Sequence, residues 1–122
     1  MDKKEFCILI SNRACGRTYG SGIDCSIPTM KDFALIKDSN IFTGEIKFYL
    51  LEDDEKETLY KVTSKMIEKA IEQICTNQEL DFDEDVEKQI LYANKYNDVS
   101  FLDEVAINII IQVAAFGIPL EY

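Results

Sequence analysis

Histidine is absent from this 122-residue sequence. With it go the commonest general base and every Ser-His or Cys-His nucleophile arrangement. Imidazole is equally missing as a metal ligand. No C-x-x-C pair occurs among Cys7, Cys15, Cys25 and Cys75, so the ligand spacing of a zinc site is lacking as well. No stretch approaches the roughly 20 apolar residues that span a bilayer. The most apolar one, Val105 to Phe116, is interrupted by Asn108 and Gln112. The run Phe6 to Ile10 is too short for a signal peptide. Internal repeats and low-complexity linkers are missing too. These gaps predict a cytoplasmic protein with one domain over residues 1–122 and reduced thiols. They also predict that it holds no metal or cofactor and is not an enzyme.

What is present is an ordinary globular composition: 47% hydrophobic and 30% charged, more apolar than a disordered chain. Cys7 and Cys75 fall within apolar patterns, where a free thiol acts as a small hydrophobe. The net charge is −10 and is unevenly spread. Residues 1–61 carry 9 basic and 11 acidic side chains, whereas residues 62–122 carry 4 and 12. Such a surface repels nucleic acid and anionic lipid, and it attracts a basic partner.

The first half reads as strands. E-F-C-I-L-I-S, residues 5–11, is a short apolar run suited to a strand buried on both faces. A glycine-rich loop over 11–22 follows, and then Ile23, Cys25 and Ile27 alternate with polar residues as a strand does. Thr29 and Asp32 resemble a helix start, with Met30, Phe33 and Ala34 facing inward. Gly44 to Glu52 alternates again. The acidic turn 52–57 joins it to a strand over Thr58 to Val62, which makes an antiparallel hairpin.

The second half reads as helices. Thr63 caps one with Ile67, Ala70, Ile71, Ile74 and Cys75 on a single face. Asp83 opens another, with carboxylates at its positive end. Ser100 opens a third that Gly117 and Pro119 close. The third is apolar nearly all round, as befits a core helix or a homo-oligomer contact. The expected architecture is α+β: an antiparallel sheet of about four strands packed against about three helices.

Three groups of residues stand out. Asp81, Asp83 and Asp85 have the first spacings of a calcium loop, but Val86 replaces its turn glycine and Tyr92 its final glutamate. Helix-start chemistry and an acidic contact surface account for these acids better. Arg13 and Arg17, the only arginines, accompany Gly16, Gly20 and Gly22. A phosphate or nucleotide site is one reading of that loop, although no Walker motif is present. Glu52, Asp53, Asp54 and Glu55, with Glu79, Asp81, Asp83, Glu84, Asp85 and Glu87, form two acidic segments, and Tyr92 lies just beyond the second.

In size, acidity and lack of catalytic residues, and in these two acidic segments, the chain resembles immunity proteins that neutralise bacterial toxins. Those of contact-dependent growth inhibition are among them. It is similar in the same respects to phage-encoded inhibitors of bacterial defence. The resemblance implies a rigid inhibitor whose carboxylates and Tyr92 meet a basic toxin or another nucleic-acid-binding enzyme. Because the likeness is one of general character, no family residue is carried over. The alternative expectation is a small-ligand binder using the loop of Arg13 and Arg17.

Overall fold

The computed structural model describes residues 2–15, 30, 34–51, 58–76 and 83–119. The chain opens on a helix, α1 (Lys3–Ala14), where the short apolar run predicted a strand. Two features decide for the helix. The Asp2 carboxylate accepts from the Glu5 N–H at 2.8 Å, an N-cap that satisfies one orphan donor of the first turn. The buried apolar residues Phe6, Cys7, Ile10 and Ala14 then recur at helical spacing. The polar residues Ser11 and Asn12 gave the segment the look of a strand ending in a loop. They lie inside the same helix and are themselves buried.

Their burial is explained by the sheet. Strand β1 (Ala34–Ser39) pairs antiparallel with β2 (Ile46–Leu50), which pairs antiparallel with β3 (Tyr60–Val62). Between β1 and β2, the Asn40 side chain accepts from the N–H groups of Phe42 and Thr43, and Gly44 adopts φ +78°. The Ser11 hydroxyl donates to the Gly44 carbonyl, and the Asn12 amide donates to the Ile41 carbonyl at 3.0 Å. Helix α1 thus supplies the partners that this turn's buried carbonyls need.

The expected hairpin is present, with Ile46 opposite Val62 and Phe48 opposite Tyr60. Strand β1 was not expected. Ala34 begins it, where a helix over Met30, Phe33 and Ala34 was predicted; Met30 is buried and residues 31–33 lie outside the described part. Only Ala34 of β1 is fully buried and its register shifts between Ile36 and Asp38, so the strand shows little of the alternation that marks a strand in sequence. The predicted strand over 23–27 lies outside the described residues. Those residues therefore form a three-stranded sheet with four helices, an α+β fold whose first element is helical.

The remaining helices follow their caps. In α2 (Ser64–Thr76), the Thr63 hydroxyl accepts from Met66 N, and Ile67, Ala70, Ile71 and Ile74 are buried as their spacing predicts. Asp83 caps α3 (Glu84–Tyr96), and Asn97 ends it in the left-handed region. Helix α4 (Glu104–Phe116) begins after Asp103 and not after Ser100. Both the N–H and the hydroxyl of Ser100 donate to Asp98, which holds Val99–Phe101 as a separate 3₁₀ turn. Gly117 closes α4 as expected.

Helix α4 is the centre. It packs against α1, α2, α3 and β3, and Ala106, Ile107, Ile109, Ile110, Ile111, Gln112 and Val113 are all buried. The sheet joins it through Phe48, Tyr60 and Phe116. Phe48 and Tyr60 stack at 5.6 Å, and Phe116 meets Tyr60 edge-on at 5.1 Å.

Gly44 and Gly117 both hold positive φ, but only Gly44 faces a neighbour: an added Cβ would lie 3.2 Å from Ile8 Cα, whereas at Gly117 nothing lies within 4 Å. Gly117→Ala should cost about 1–2 kcal/mol, the left-handed penalty alone. Gly44→Ala should cost at least about 1 kcal/mol more, because α1 must shift. Urea denaturation of both variants checks this; equal losses would show that α1 does not press on the turn.

Candidate functional site

The described part of the second acidic segment forms the first turn of α3. The Asp83 carboxylate accepts from Asp85 N at 2.8 Å and so caps the helix. Glu84, Asp85 and Glu87 follow it, all exposed. Among the described residues the only ion pairs join Glu45 to Lys47 and to Lys61, each at 3.8 Å. The carboxylates of Glu84, Asp85 and Glu87 therefore make none, even though Lys88 stands four residues after Glu84. Glu52, Asp53, Asp54 and Glu55 of the first acidic segment, with Glu79 and Asp81 of the second, lie outside the described residues.

Further along α3, Asp85, Gln89, Tyr92 and Tyr96 share one face by the helical period. Tyr92 and Tyr96, for each of which core packing is the stronger expectation from sequence, are 52% and 57% exposed. Phe101, expected in the core, is 41% exposed and stacks on both rings. Its centroid lies 5.9 Å from each, with interplanar angles of 29° and 27°.

This three-ring ladder depends on how the Val99–Phe101 turn is held. On one side, Gln89 and Asp103 bond reciprocally: the Gln89 amide donates to Asp103 Oδ2 at 3.1 Å, and the Asp103 N–H donates to Gln89 Oε1 at 2.9 Å. Asp103 Oδ1 meanwhile caps α4 by accepting from Ala106 N. On the other side, Arg13 Nη1 of α1 donates to the carbonyls of Val99, at 2.9 Å, and Leu102, at 3.3 Å. Inside the turn, the hydrogen bonds from Ser100, side chain first and backbone second, hold the Asp98 carboxyl below its ordinary value. No sequence motif announces this assembly. The i, i+4 spacing of Tyr92 and Tyr96 is its one trace in the sequence.

The loop considered for phosphate divides differently. Arg13 sits in α1 with a guanidinium nitrogen on backbone carbonyls, while Gly16, Arg17, Gly20 and Gly22 lie outside the described residues. Among the described residues no cluster of three or more Cys, Asp or Glu could hold a metal ion, and no helix is long and apolar enough to cross a membrane. Compared with known proteins, the chain matches no family model, no curated protein and no solved structure.

The described thiols are placed as core material. Cys7 is buried, and burial, reinforced by Glu68 and opposed by Lys3, pushes its pKa up to about 12. Burial raises Cys75 as well, against the hydrogen bond it accepts from Asn94. Below about pH 9, the thiol's ordinary value, Cys7 is protonated whether the chain is folded or not, and its contribution is constant. Above it the unfolded chain loses the proton while the folded one keeps it to about pH 12, so stability falls as pH rises through that window. The expected slope is up to about 1.4 kcal/mol per pH unit. Urea denaturation of the wild type and Cys7→Ala across this window isolates it, since tyrosine and lysine titration is common to both. Parallel curves would refute the assignment.

Proposed function

We propose that the protein is a small acidic inhibitor that captures and neutralises a basic protein partner, acting without chemistry of its own. The observation that carries this reading is the exposed first turn of α3. Glu84, Asp85 and Glu87 stand there together with no ion pair among the described residues. One carboxylate, Asp83, suffices to cap the helix. The others add favourable interaction with the helix dipole, worth about 0.3–1 kcal/mol each, but repel one another. A surplus of this kind suits a cationic cleft, such as that of a nuclease toxin, where the acids take the place of phosphates. The excess of acid over base across residues 62–122 adds long-range steering, which speeds encounter with a basic target. The likeness to toxin-immunity proteins in size and acidity agrees with this reading.

Charge pairs desolvated at an interface cost about 2–5 kcal/mol when one side is removed, against less than about 1 for exposed pairs. Replacing Glu84, Asp85 and Glu87 together by lysine should therefore weaken partner binding at least about 100-fold, which is about 2.7 kcal/mol. The melting temperature should drop by only a few degrees, because Asp83 still caps α3. The partner is first isolated by wild-type pull-down at low salt. Surface plasmon resonance of both forms against it then gives affinity and on-rate at low and high salt. Unchanged affinity together with a salt-independent on-rate would assign these acids to solubility.

A further inference from the structure

Tyr92, Tyr96 and Phe101 form an exposed aromatic face for which core packing gives no reason. Three large rings stay between 41% and 57% exposed while stacked on one another. Burying any of them would be favourable. Instead, the turn carrying Phe101 is fastened by Arg13, by Asp98 and by the Gln89–Asp103 pair. A face held in place before any partner arrives loses little entropy on binding.

Its surroundings state which partner suits it. Asp85 lies on the same face of α3, and Asp98 and Asp103 flank the turn; all three are exposed. The face of an aromatic ring carries partial negative charge and attracts cations. One ring already does so, since Lys95 Nζ stands 5.3 Å from the Tyr96 centroid. Near-parallel rings with carboxylates at their margin suit a planar guanidinium better than an ammonium. The guanidinium can stack on a ring and still present its edge N–H groups to a carboxylate.

We propose that the ladder of Tyr92, Phe101 and Tyr96 is a docking site for arginine side chains on a basic segment of the protein partner. This rests on the acidic-inhibitor reading and gives it a residue-level preference: the acids of α3 attract any cation, and the ladder selects arginine over lysine.

The test uses two peptides of equal length, oligo-arginine and oligo-lysine, titrated into the full chain at physiological ionic strength. Nuclear magnetic resonance locates the contact and calorimetry gives the affinity. Wild type should bind the arginine peptide about tenfold more tightly, which is about 1.4 kcal/mol. Shifts should centre on Tyr92, Tyr96 and Phe101. In Tyr92→Leu/Tyr96→Leu, which keeps apolar bulk on a helix that tolerates it, the two affinities should become equal at the wild-type lysine-peptide value. Tyr92→Phe/Tyr96→Phe should retain the preference, because the ring faces remain. Equal binding of both peptides by wild type would overturn the ladder proposal and leave the acidic surface standing. Retention of the preference by the leucine variant would overturn the ladder in the same way. Binding of neither peptide would overturn both proposals. Self-association of the wild type that the leucine variant abolishes would assign the face to a second copy of the chain and likewise overturn it.

Discussion

A helix that is apolar nearly all round cannot rest on a surface, and α4 is such a helix. Seven of the eight residues from Ala106 to Val113 are buried, and only a narrow strip through Val105 and Asn108 is left to water. The other elements are arranged to cover it: α1, α2 and α3 on its flanks, and β3 with the Phe48–Tyr60–Phe116 cluster at its C-terminal end. Helices α2 and α3 bury one apolar side each, α1 is buried over most of its circumference, and all three contribute residues to the same core. A sheet of three short strands has too little area to cover a helix of this kind alone, which is why helices do most of the covering.

Covering an apolar rod from several directions leaves backbone ends trapped between elements, and two of the buried polar side chains, Ser11 and Asn12, are found there. Ser11 and Asn12 serve the carbonyls of the β1–β2 turn, and Arg13, next along the same helix, serves those of the Val99–Phe101 turn. Three successive residues of α1 thus join the sheet to the junction between α3 and α4. These are bonds between segments far apart in sequence, and they fix how the layers sit in a way that non-directional apolar contact does not.

That distribution explains what was legible in the sequence. Helices α2 and α3 were readable because cap and apolar face both lie within one short window, as with Thr63 followed by Ile67, Ala70 and Ile71. The β2–β3 hairpin was readable from its alternation. Helix α1 was not, because its defining polar residues make sense only through a turn about thirty residues away. Strand β1 is mostly exposed, and Ser100 resembled a cap until Asp98 took both its donors. At the candidate site the acids of α3 were visible as a charge run with Tyr92 just beyond it, while the pairing of Tyr92 with Tyr96 was not read. Phe101 was assigned to the core, because only the Gln89–Asp103 and Arg13 bonds turn it outward across the two rings.

The two features of the proposed interface differ in range, and this constrains how they act together. Carboxylates at the start of α3 are felt over about 8 Å at physiological salt and are indifferent to which cation arrives. Ring faces act only at contact and depend on the shape of the cation. Because Asp85 and the tyrosines share a face of the same helix, a segment drawn in by charge meets the ladder without moving to another surface. On the proposed reading, capture and discrimination are then successive events on α3 and the turn packed beside it. Salt should act mainly on the first, while ring chemistry should act mainly on how long the complex lasts.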